Sequence, residues 1–395
     1  MSFIKRQNIC IVNVFQPALG IGGVETVCFL LKKELEKNGY NVWSLYITEK
    51  TTKDTTDIKL LEEENICSET NVKFFLEIVD RNKIDIILLN GGWENDLLLL
   101  CYKIRQKRDI KLVVTSHCNP YARIKEYDDY KERYISNINN TFKKIASNIF
   151  LEAKRVWYNY KSLSLTKQLY KGYDIDNIDA FVTLSNSYTK FFKSIFPTKF
   201  RKKIHTISNP IVINNNITQN KENIVLFVGR LTSQKRLDRL IYVWNEIYRN
   251  FPDWELIVVG NGDYFDEYAT IVRNLNVGNI VFVGQQPSEE YFKKSKILCM
   301  TSSHEGLPMV LIEAQMYRCV PIAYNSFESI TDIIQDKHNG LLIKPFKQKE
   351  FAKALSGLIS DEKRRKKMAN NGIDHIKRFD ISNIIKEWIT LFESL

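Results

Sequence analysis

The chain of 395 residues carries a formal net charge of +11, and 44% of its residues are hydrophobic. This length predicts two domains with a large core, and the sequence has no run of about 18 apolar residues that would indicate a membrane-spanning helix. Seven scattered cysteines without C-x-x-C spacing argue against a disulfide framework and a zinc site. The first predicted strand directly follows Met1 to Gln7, which argues against a signal peptide. We therefore expect a cytoplasmic protein.

The positive charge is concentrated between Arg123 and Lys203, where 17 Lys and Arg residues stand against 8 Asp and Glu. Such an excess suits an anionic partner, which could be a phosphate group, a lipid surface or a nucleic acid, although a solvated lysine-rich surface would look the same. No nucleic-acid-binding module accompanies it, and we expect no nucleic acid to bind. Aromatic residues are interleaved with the cations, as at an interface with anionic headgroups, and the alternative is that they face the domain core while the lysines face water. They include Trp157, Phe191, Phe192 and Phe196.

Strand-like and helix-like segments alternate through the first half of the chain. Strands are predicted at 8–15, 41–47, 84–90, 111–116, 179–184 and 204–207, and helices at 23–37, 72–82 and 97–108. This alternation is typical of a parallel sheet with helices on both faces. The segment 121–172 departs from it, since it is rich in Tyr, Lys, Asn and Ile, and we interpret it as a helical insertion.

A polar segment from Ser208 to Glu222 is predicted to be a linker, after which the alternation begins again. The second half is predicted to contain strands at 224–228, 256–259, 280–283, 296–301, 320–324 and 339–343, and helices at 235–250, 264–275, 289–295, 311–317, 348–360 and 361–379. We therefore predict an N-terminal α/β domain over residues 1–208 and a C-terminal α/β domain over 209–380. An amphipathic helix over 381–395 is predicted to return to the N-terminal domain.

Glu305 and Glu313 lie eight positions apart, on either side of a predicted helix start. Glu305 falls in the loop after a strand, Pro308 suits the first helical turn, and Glu313 lies in the early turns of the helix. The N-terminus of a helix offers free N–H groups to a phosphate. Two carboxylates would repel that phosphate but can bind hydroxyl groups on either side of it. This arrangement fits a nucleotide-sugar, with one Glu at the ribose and the other at the transferred sugar.

Two further elements place glycines or cations near predicted strand ends. Gly22 and Gly23 precede the first helix, where a backbone without Cβ atoms can approach an anion closely. Arg230 leaves the end of a buried strand, and Lys235 opens the next helix. Arg offers a fork to two phosphate oxygens and Lys a point charge, so together they could hold a pyrophosphate and stabilise it as a leaving group.

His117 follows the predicted strand over 111–116 and is a candidate site residue in an exposed loop. We interpret Arg236 and Arg239 as surface charges. Asp174-Ile175-Asp176 fits a D-x-D metal pattern, but it precedes a strand instead of ending one. No other cluster of acids or histidines has metal-ligand spacing, so we predict no metal ion and no other cofactor.

Several motifs between 223 and 345 occur in the series found in retaining glycosyltransferases of the GT-B fold, glycosyltransferase family four. They are G-R-x(4)-K from Gly229, V-V-G-x-G from Val258, S-S-x-E-G-x-P-x-V-L-x-E-A from Ser302 and N-G-x-L from Asn339, and the GG-x-E run from Gly22 resembles the family's loop at the donor phosphates. The resemblance follows the element order over most of 9–395 and is weak over 121–172. It implies two Rossmann-like parallel-sheet domains facing across a cleft.

The resemblance further implies a metal-independent enzyme that moves a hexose or N-acetylhexosamine from a UDP-sugar to a glycan or lipid-linked acceptor. Transfer would retain the anomeric configuration and would serve the synthesis of cell-surface polysaccharide. His117, Arg230, Lys235 and Glu305 would act in catalysis, and Gln286 would contact the base. The inner face of an anionic membrane could be a further partner.

One departure from the family concerns the run after the first Glu, which is often Gly-Phe-Gly-Leu and here is Gly306-Leu307-Pro308-Met309. Because proline lacks an N–H group, Gly306, Leu307 and Met309 would have to supply the backbone donors. Two alternatives are left open. One is a nucleotide-sugar epimerase or hydrolase on the same fold, and the other is a non-catalytic protein that binds a sugar-nucleotide or a polysaccharide.

Overall fold

The computed structural model describes residues 7–17, 23–49, 56–91, 95–136, 143, 145–157, 175–213 and 221–395. These residues fall into two compact units. The first unit contains the described residues from 7 to 118, from 175 to 212 and from 379 to 395. The second unit contains those from 119 to 157 and from 213 to 378.

The strands in chain order are β1 (Asn8–Phe15), β2 (Asn41–Thr48), β3 (Asp57–Lys59), β4 (Ile86–Asn90), β5 (Lys111–Ser116), β6 (Ala180–Thr183), β7 (Ile204–Thr206), β8 (Ile224–Val228), β9 (Glu255–Val259), β10 (Ile280–Gly284), β11 (Ile297–Met300), β12 (Val320–Tyr324) and β13 (Leu341–Ile343). The helices in chain order are α1 (Gly23–Lys37), α2 (Glu69–Asn82), α3 (Asn95–Arg105), α4 (Ala122–Ser136), α5 (145–157), α6 (Asn186–Ile195), α7 (Thr198–Arg201), α8 (Leu237–Ile247), α9 (Phe265–Leu275), α10 (Ser288–Lys294), α11 (Met309–Met316), α12 (Ile330–Ile333), α13 (Gln348–Ser360), α14 (Glu362–Ile376) and α15 (Ile381–Glu393).

Each unit is built around one parallel sheet. In the first unit the strand order is β3-β2-β1-β4-β5-β6-β7, and in the second it is β10-β9-β8-β11-β12-β13. In both sheets the first strand is central, the next two strands lie on one side of it, and the following strands lie on the other side. The strand order therefore reverses between β1 and β4 and between β8 and β11. The prediction of two α/β domains with parallel sheets is confirmed. Central strands such as β8 and β11 are continuous apolar runs because helices cover both faces of such sheets.

The C-terminal helix α15 packs on the first unit, as predicted. Its residues Ile384, Ile385, Trp388, Leu391 and Phe392 are buried in the same apolar cluster as side chains of β1 and α1. The chain also pairs Ile211 with Asp380 in a parallel bridge. The amphipathic pattern of residues 381–395 therefore marks a helix that completes the core of the N-terminal sheet.

The insertion is the largest difference between the two units and the predicted domains. We assigned 121–172 to the N-terminal domain, but its described residues up to 157 group with the second unit. Charge pairs explain this grouping, since Lys125 of α4 pairs with Glu328 at 2.9 Å and Asp129 pairs with Arg236 and Arg239. A linear pattern of cations and aromatic residues does not show which acid meets which base.

Some short elements were not predicted, namely β3, α6, α7 and α12. α6 begins at a serine cap, because the Ser185 side chain accepts a hydrogen bond from the Ser187 N–H group. Its residues Phe191 and Phe192, with Phe196 just after it, are at most 5% exposed and pack around Phe181. These three aromatic side chains therefore form core, which is the second of the two interpretations, and not a membrane-facing surface. No helix within the described ranges is long and apolar enough to cross a membrane.

Candidate functional site

The predicted catalytic loops of the second unit leave the sheet at its switch point. Arg230 follows β8 and Glu305 follows β11, and these strands are neighbours in the sheet. The chain continues from β8 towards one edge of the sheet and from β11 towards the other edge. This reversal leaves a crevice outside the carboxyl ends of the two strands. Ligands of doubly wound sheets bind in such crevices.

Two glycines of the V-V-G-x-G run allow the chain to fold tightly at this edge. A Cβ atom on Gly260 would lie 2.0 Å from the carbonyl oxygen of Gly229, and one on Gly262 would lie 2.4 Å from that of Leu231. Both glycines also have positive φ angles, of 136° and 159°. Side chains at either position would push away the loop that carries Arg230.

The loop with Lys235 and the loop with Glu305 are joined by an ion pair. Lys235 Nζ lies 2.7 Å from Glu305 Oε1, and these side chains are 20% and 10% exposed. The aliphatic part of Lys235 passes over Gly229, where a Cβ atom would lie 3.4 Å from Lys235 Cε. Gln234 adds a second connection, because its Nε2 donates to the carbonyl of His304 at 2.7 Å and its own carbonyl accepts from the Ser303 N–H at 2.8 Å.

Lys235 does not open α8 as predicted. It lies in a turn, and α8 begins at Leu237 after Arg236, whose φ of 50° is left-handed. Thr301 Oγ1 donates to the carbonyl of Arg236 at 2.8 Å and so fixes this turn against the end of β11. The turn, and not a helical register, therefore sets the direction of the lysine side chain.

The start of α11 presents backbone donors close to Glu305. Pro308 is the residue before the helix and not part of its first turn, which corrects our prediction. No described residue accepts a hydrogen bond from the backbone N–H groups of Gly306, Leu307 or Met309. These are the three groups that the sequence analysis named as donors, and they are available to an anion.

Glu313 lies one helical turn and a half into α11 with a half-buried carboxylate. Burial raises its pKa to about 7. Within the described part of the chain, no hydrogen bond or ion pair is made by this carboxylate. A partly desolvated acid without a partner is costly in the ligand-free protein and is suited to accept hydrogen bonds from bound hydroxyl groups.

Arg230 and Gln286 are both exposed. No other described side chain or carbonyl group forms a hydrogen bond or ion pair with the Arg230 guanidinium. Gln286 follows β10, whose last residue Gly284 has a φ of 71° and turns the chain away from the sheet. Both side chains can therefore bind a ligand without first breaking a contact in the protein.

His117 of the first unit is half-buried rather than exposed. Its Nε2 lies 2.7 Å from Asn90 Oδ1, and the Asn90 Nδ2 group donates to Cys28 Sγ at 2.9 Å, which orients the amide. Burial lowers the pKa of His117 to about 4, so the ring is neutral and Nδ1 is left as an acceptor. Among the described residues, His117 Nδ1 is buried and has no hydrogen-bond partner.

The glycine pair of the first unit is only partly described. Gly22 lies outside the described residues, and Gly23 is the first residue of α1. A Cβ atom on Gly23 would meet nothing within 4 Å, so packing within the protein does not require glycine there. The prediction that this pair faces an anion stays a prediction.

Arg236 and Arg239 are buried, each 5% exposed, and our interpretation of them as surface charges is wrong. Both pair with Asp129 of α4, which is 3% exposed, and Arg239 Nη2 lies 3.0 Å from its Oδ1. Arg239 also lies 4.2 Å from the ring centroid of Phe346. A buried carboxylate between two buried guanidinium groups compensates charges that could not otherwise be buried.

Helix α4 contacts the other site loops as well. Glu126 Oε1 lies 3.9 Å from Nε2 of His304, whose pKa is lowered by burial. Lys125 pairs with Glu328, next to Ser329, whose hydroxyl donates to the carbonyl of Gly306. No motif in the sequence of α4 predicts that this helix belongs to the site.

Three comparisons relate this chain to known proteins. Residues 210–375 match the family model Glycosyl transferases group 1. This match includes the loops that carry Arg230, Lys235, Glu305 and Glu313. It covers less than half of the chain, and the first unit lies almost entirely outside it.

Relatives in bacteria share part of the sequence. An uncharacterized glycosyltransferase of Haemophilus influenzae is 28% identical over 236 residues, which are 58% of this chain and 66% of the relative. The GalNAc-alpha-(1->4)-GalNAc-alpha-(1->3)-diNAcBac-PP-undecaprenol alpha-1,4-N-acetyl-D-galactosaminyltransferase of Campylobacter jejuni is 30% identical over 203 residues, 50% of this chain and 56% of the relative. The chain thus spans less than two thirds of the length of these relatives.

A solved structure shows the same architecture over the whole chain. HepE of Anabaena, crystallised with UDP and glucose, matches with a TM-score of 0.75 at 15% identity, covering 99% of this chain and 100% of HepE. The likeness shows the fold, which is that of the GT-B proteins. Within the described ranges, no group of three or more His, Cys, Asp or Glu residues could hold a metal ion.

The buried charges around Asp129 generate a stability prediction. Asp129→Ala should lower the free energy of unfolding by about 3–5 kcal/mol, because it removes the carboxylate from the buried Arg239 and leaves Arg236 with Asp238 as its remaining acid partner. Asp128→Ala is the matched control on the same helix, since Asp128 pairs with the more exposed Arg155 and should cost no more than about 1 kcal/mol. Urea unfolding followed by circular dichroism gives both values. Equal losses would show that the Asp129 pairs do not hold α4 in place.

Proposed function

We propose that the chain is a retaining glycosyltransferase of family four, which transfers a hexose or N-acetylhexosamine from a UDP-sugar to a glycan or lipid-linked acceptor. The observation that carries this proposal is the pairing of Lys235 with Glu305 at the switch point, beside the free N–H groups of α11. The Campylobacter relative is named for an undecaprenol-linked glycan, and HepE was crystallised with UDP-glucose. These names support a role in the synthesis of cell-surface polysaccharide.

The donor diphosphate is assigned to Arg230, Lys235 and the start of α11. Glu305 occupies one of the three donors of the Lys235 ammonium group, so the other two can bind phosphate oxygens. The exposed Arg230 guanidinium adds a fork for two oxygens. Glu305, held in place by the lysine, is assigned to the hydroxyl groups of the transferred sugar.

The transfer would break the bond between the sugar C1 and the β-phosphate oxygen and form a bond from C1 to the acceptor oxygen on the same face. The acceptor proton would pass to the departing phosphate oxygen, and UDP would leave. Negative charge grows on the β-phosphate in the transition state. Arg230, Lys235 and the N–H groups at the start of α11 would stabilise that charge.

The nucleoside half of the donor is assigned to Glu313 and Gln286. The Glu313 carboxylate would accept hydrogen bonds from the ribose hydroxyls, and Gln286 would contact the base. His117 and the Gly22–Gly23 pair of the first unit are assigned to the transferred sugar and to the phosphates. A neutral His117 ring can accept a hydrogen bond from a sugar hydroxyl at Nδ1, but it does not serve as a proton donor near pH 7.

A UDP-release assay with a panel of UDP-sugars and glycan acceptors tests the function. The wild-type chain should release UDP and form a glycoside with at least one pair, at a rate unchanged by EDTA. Arg230→Ala and Lys235→Ala should weaken UDP binding and slow transfer at least tenfold, since a hydrogen bond to a charged group contributes roughly 1.5–3 kcal/mol. Arg249→Ala, at an exposed arginine of the same unit, is the control.

The outcomes separate the alternatives. Release of UDP and free sugar without a glycoside would indicate a hydrolase, and conversion of the donor sugar would indicate an epimerase. Tight UDP binding without turnover of any donor would indicate a binding protein. Unchanged UDP affinity in both variants would contradict the phosphate assignment.

The two acids should differ in their effect on free UDP. Glu313→Gln should lower the affinity for UDP, because the ribose hydroxyls lose a carboxylate acceptor. Glu305→Gln should leave the affinity for UDP unchanged and slow sugar transfer. The ionised Glu313 is the better acceptor for two hydroxyls, so wild-type UDP affinity should rise with pH through about 7, and Glu313→Gln should remove this dependence. Calorimetry between pH 6 and 8 measures both effects. Equal loss of UDP affinity in the two variants would mean that the roles are wrongly assigned.

A membrane-facing surface is better placed on α5 than on the buried Phe residues near 191–196. One side of α5 exposes apolar side chains that are each more than half accessible, while Leu151 on the other side is buried and its carbonyl accepts from the Tyr127 hydroxyl. The exposed residues are Ile145, Ile149, Phe150, Val156 and Trp157. The surrounding sequence from 143 to 171 has seven Lys and Arg against one acid, which complements an anionic lipid surface.

Liposome sedimentation tests this surface. The wild-type chain should bind vesicles with anionic lipid at low salt, bind neutral vesicles weakly, and be released by high salt. Phe150→Glu should reduce binding at least tenfold. Leu61→Glu, at a similarly exposed apolar residue of the first unit, should not. Binding that is equal in the two variants, or that is absent with anionic lipid, would contradict a role for α5 at the membrane.

A further inference from the structure

The second unit has a cleft at the edge of its sheet opposite to the donor-site loops. It encloses about 460 Å³ and is lined by Lys221, Lys296, Arg318, Arg365, Lys366 and Glu362, together with smaller side chains. Lys221 precedes β8, Lys296 directly precedes β11 and Arg318 precedes β12. Because these strands are parallel, their amino ends lie a full strand length from the carboxyl ends that lead to Arg230 and Glu305. We call this feature the basic cleft.

The cations that precede the strands have neutral hydrogen-bond partners. Lys221 Nζ donates to the carbonyl of Phe292 at 2.8 Å and also to that of Tyr317. Lys296 Nζ donates to the side-chain oxygen of Asn223. Carbonyl and amide oxygens orient these groups without cancelling their charge.

The cations on or beside α14 follow the same pattern. Arg365 donates to the carbonyls of Leu358 and Ile359, and Arg318 donates to Asn370. Only Lys366 pairs with an acid, Glu362, at 2.7 Å. Taken over the described residues, the other four lining cations form no ion pair.

The basic cleft therefore gathers like charges at a partly desolvated place. Burial, together with the smaller effect of the nearby Arg318 charge, lowers the pKa of Lys221 to about 8. Burial and the charge of Arg365 also lower the pKa of Lys296. The carboxylates of Asp253 and Glu362 raise the pKa of Lys296 without forming an ion pair with it. An anion bound in the cleft would relieve the repulsion among the cations.

The side chains that line the cleft indicate which kind of anion it can bind. The side chains that line the cleft include no aromatic ring, and the apolar ones are Val320 and Ala369, so the lining offers no aromatic face for a nucleobase. Guanidinium and ammonium groups from three strand ends and one helix converge on a space the size of a small molecule. Several phosphate oxygens can take up such donors at once.

We propose that the basic cleft binds a small anion that carries two phosphate groups and lacks a nucleobase. This site is separate from the donor site and does not depend on the proposed transfer reaction. Inorganic pyrophosphate and inorganic phosphate are the probes, and the former should bind more tightly because it can contact more of the cations.

The test must separate the basic cleft from the donor site, which could also bind pyrophosphate. Pyrophosphate is titrated by calorimetry at low ionic strength into Arg230→Ala protein, and into wild-type protein saturated with UDP. Arg318→Gln and Lys366→Gln are each tested in the Arg230→Ala background and in UDP-saturated protein. Each substitution should lower the affinity for pyrophosphate at least tenfold. Lys366 is largely exposed, so its replacement leaves the core intact. UDP affinity should not change in either cleft variant.

Two results would overturn the proposal. One is the absence of pyrophosphate binding when the donor site is blocked by UDP and disabled by Arg230→Ala. The other is pyrophosphate affinity that is unaffected by both cleft variants in protein whose melting temperature matches the wild type. A site for phosphate itself, and not for a diphosphate, would be shown by equal affinities for the two probes.

Discussion

The ion pair between Lys235 and Glu305 is the interaction on which the candidate site depends. It joins two loops that leave neighbouring strands at the point where the strand order reverses. Gly260 and Gly262 let the loop after β8 fold tightly against the loop after β9. The contact between Lys235 and Glu305 gives the ligand-free protein a neutral pair, which lowers the cost of keeping a lysine and a glutamate in a partly buried place.

Helix α4 contacts the site loops and lies outside the residues that match the family model. α4 brings Asp129 between two buried arginines, one of which directly follows Lys235. Buried ion pairs add little net stability compared with apolar packing, but they tolerate only one geometry. These ion pairs hold the turn before α8, in which Arg236 has a left-handed backbone conformation. The turn gives the neighbouring Lys235 side chain a direction that a continuous helix would not give it.

The two edges of the second sheet carry cations of different character. At the carboxyl edge, Arg230 is exposed and Lys235 is matched by an acid. At the amino edge, Lys221 and Lys296 of the basic cleft are hydrogen-bonded to neutral oxygens and form no ion pair with a described residue. The parallel arrangement of the strands keeps these two sets apart, so one fold can hold two differently charged surfaces.

The sequence by itself determined the α/β architecture, the parallel sheets and the return of the last helix. These follow from local patterns, since apolar runs of strand length, helical periodicity and strand-end glycines depend on neighbours along the chain. It also placed Glu305, Glu313, Arg230 and Lys235 near one edge of a sheet, because carboxyl ends of parallel strands meet there. Their individual roles stay predictions.

Only the tertiary structure decided which charges and aromatic residues are buried. Arg236 and Arg239 look like surface cations until Asp129, more than a hundred residues earlier, is seen between them. The Phe residues after β6 look like a membrane surface until they pack around Phe181, whereas α5 exposes its apolar side. Burial depends on partners that are distant in sequence, and an amphipathic pattern shows that a face is apolar without showing what covers it.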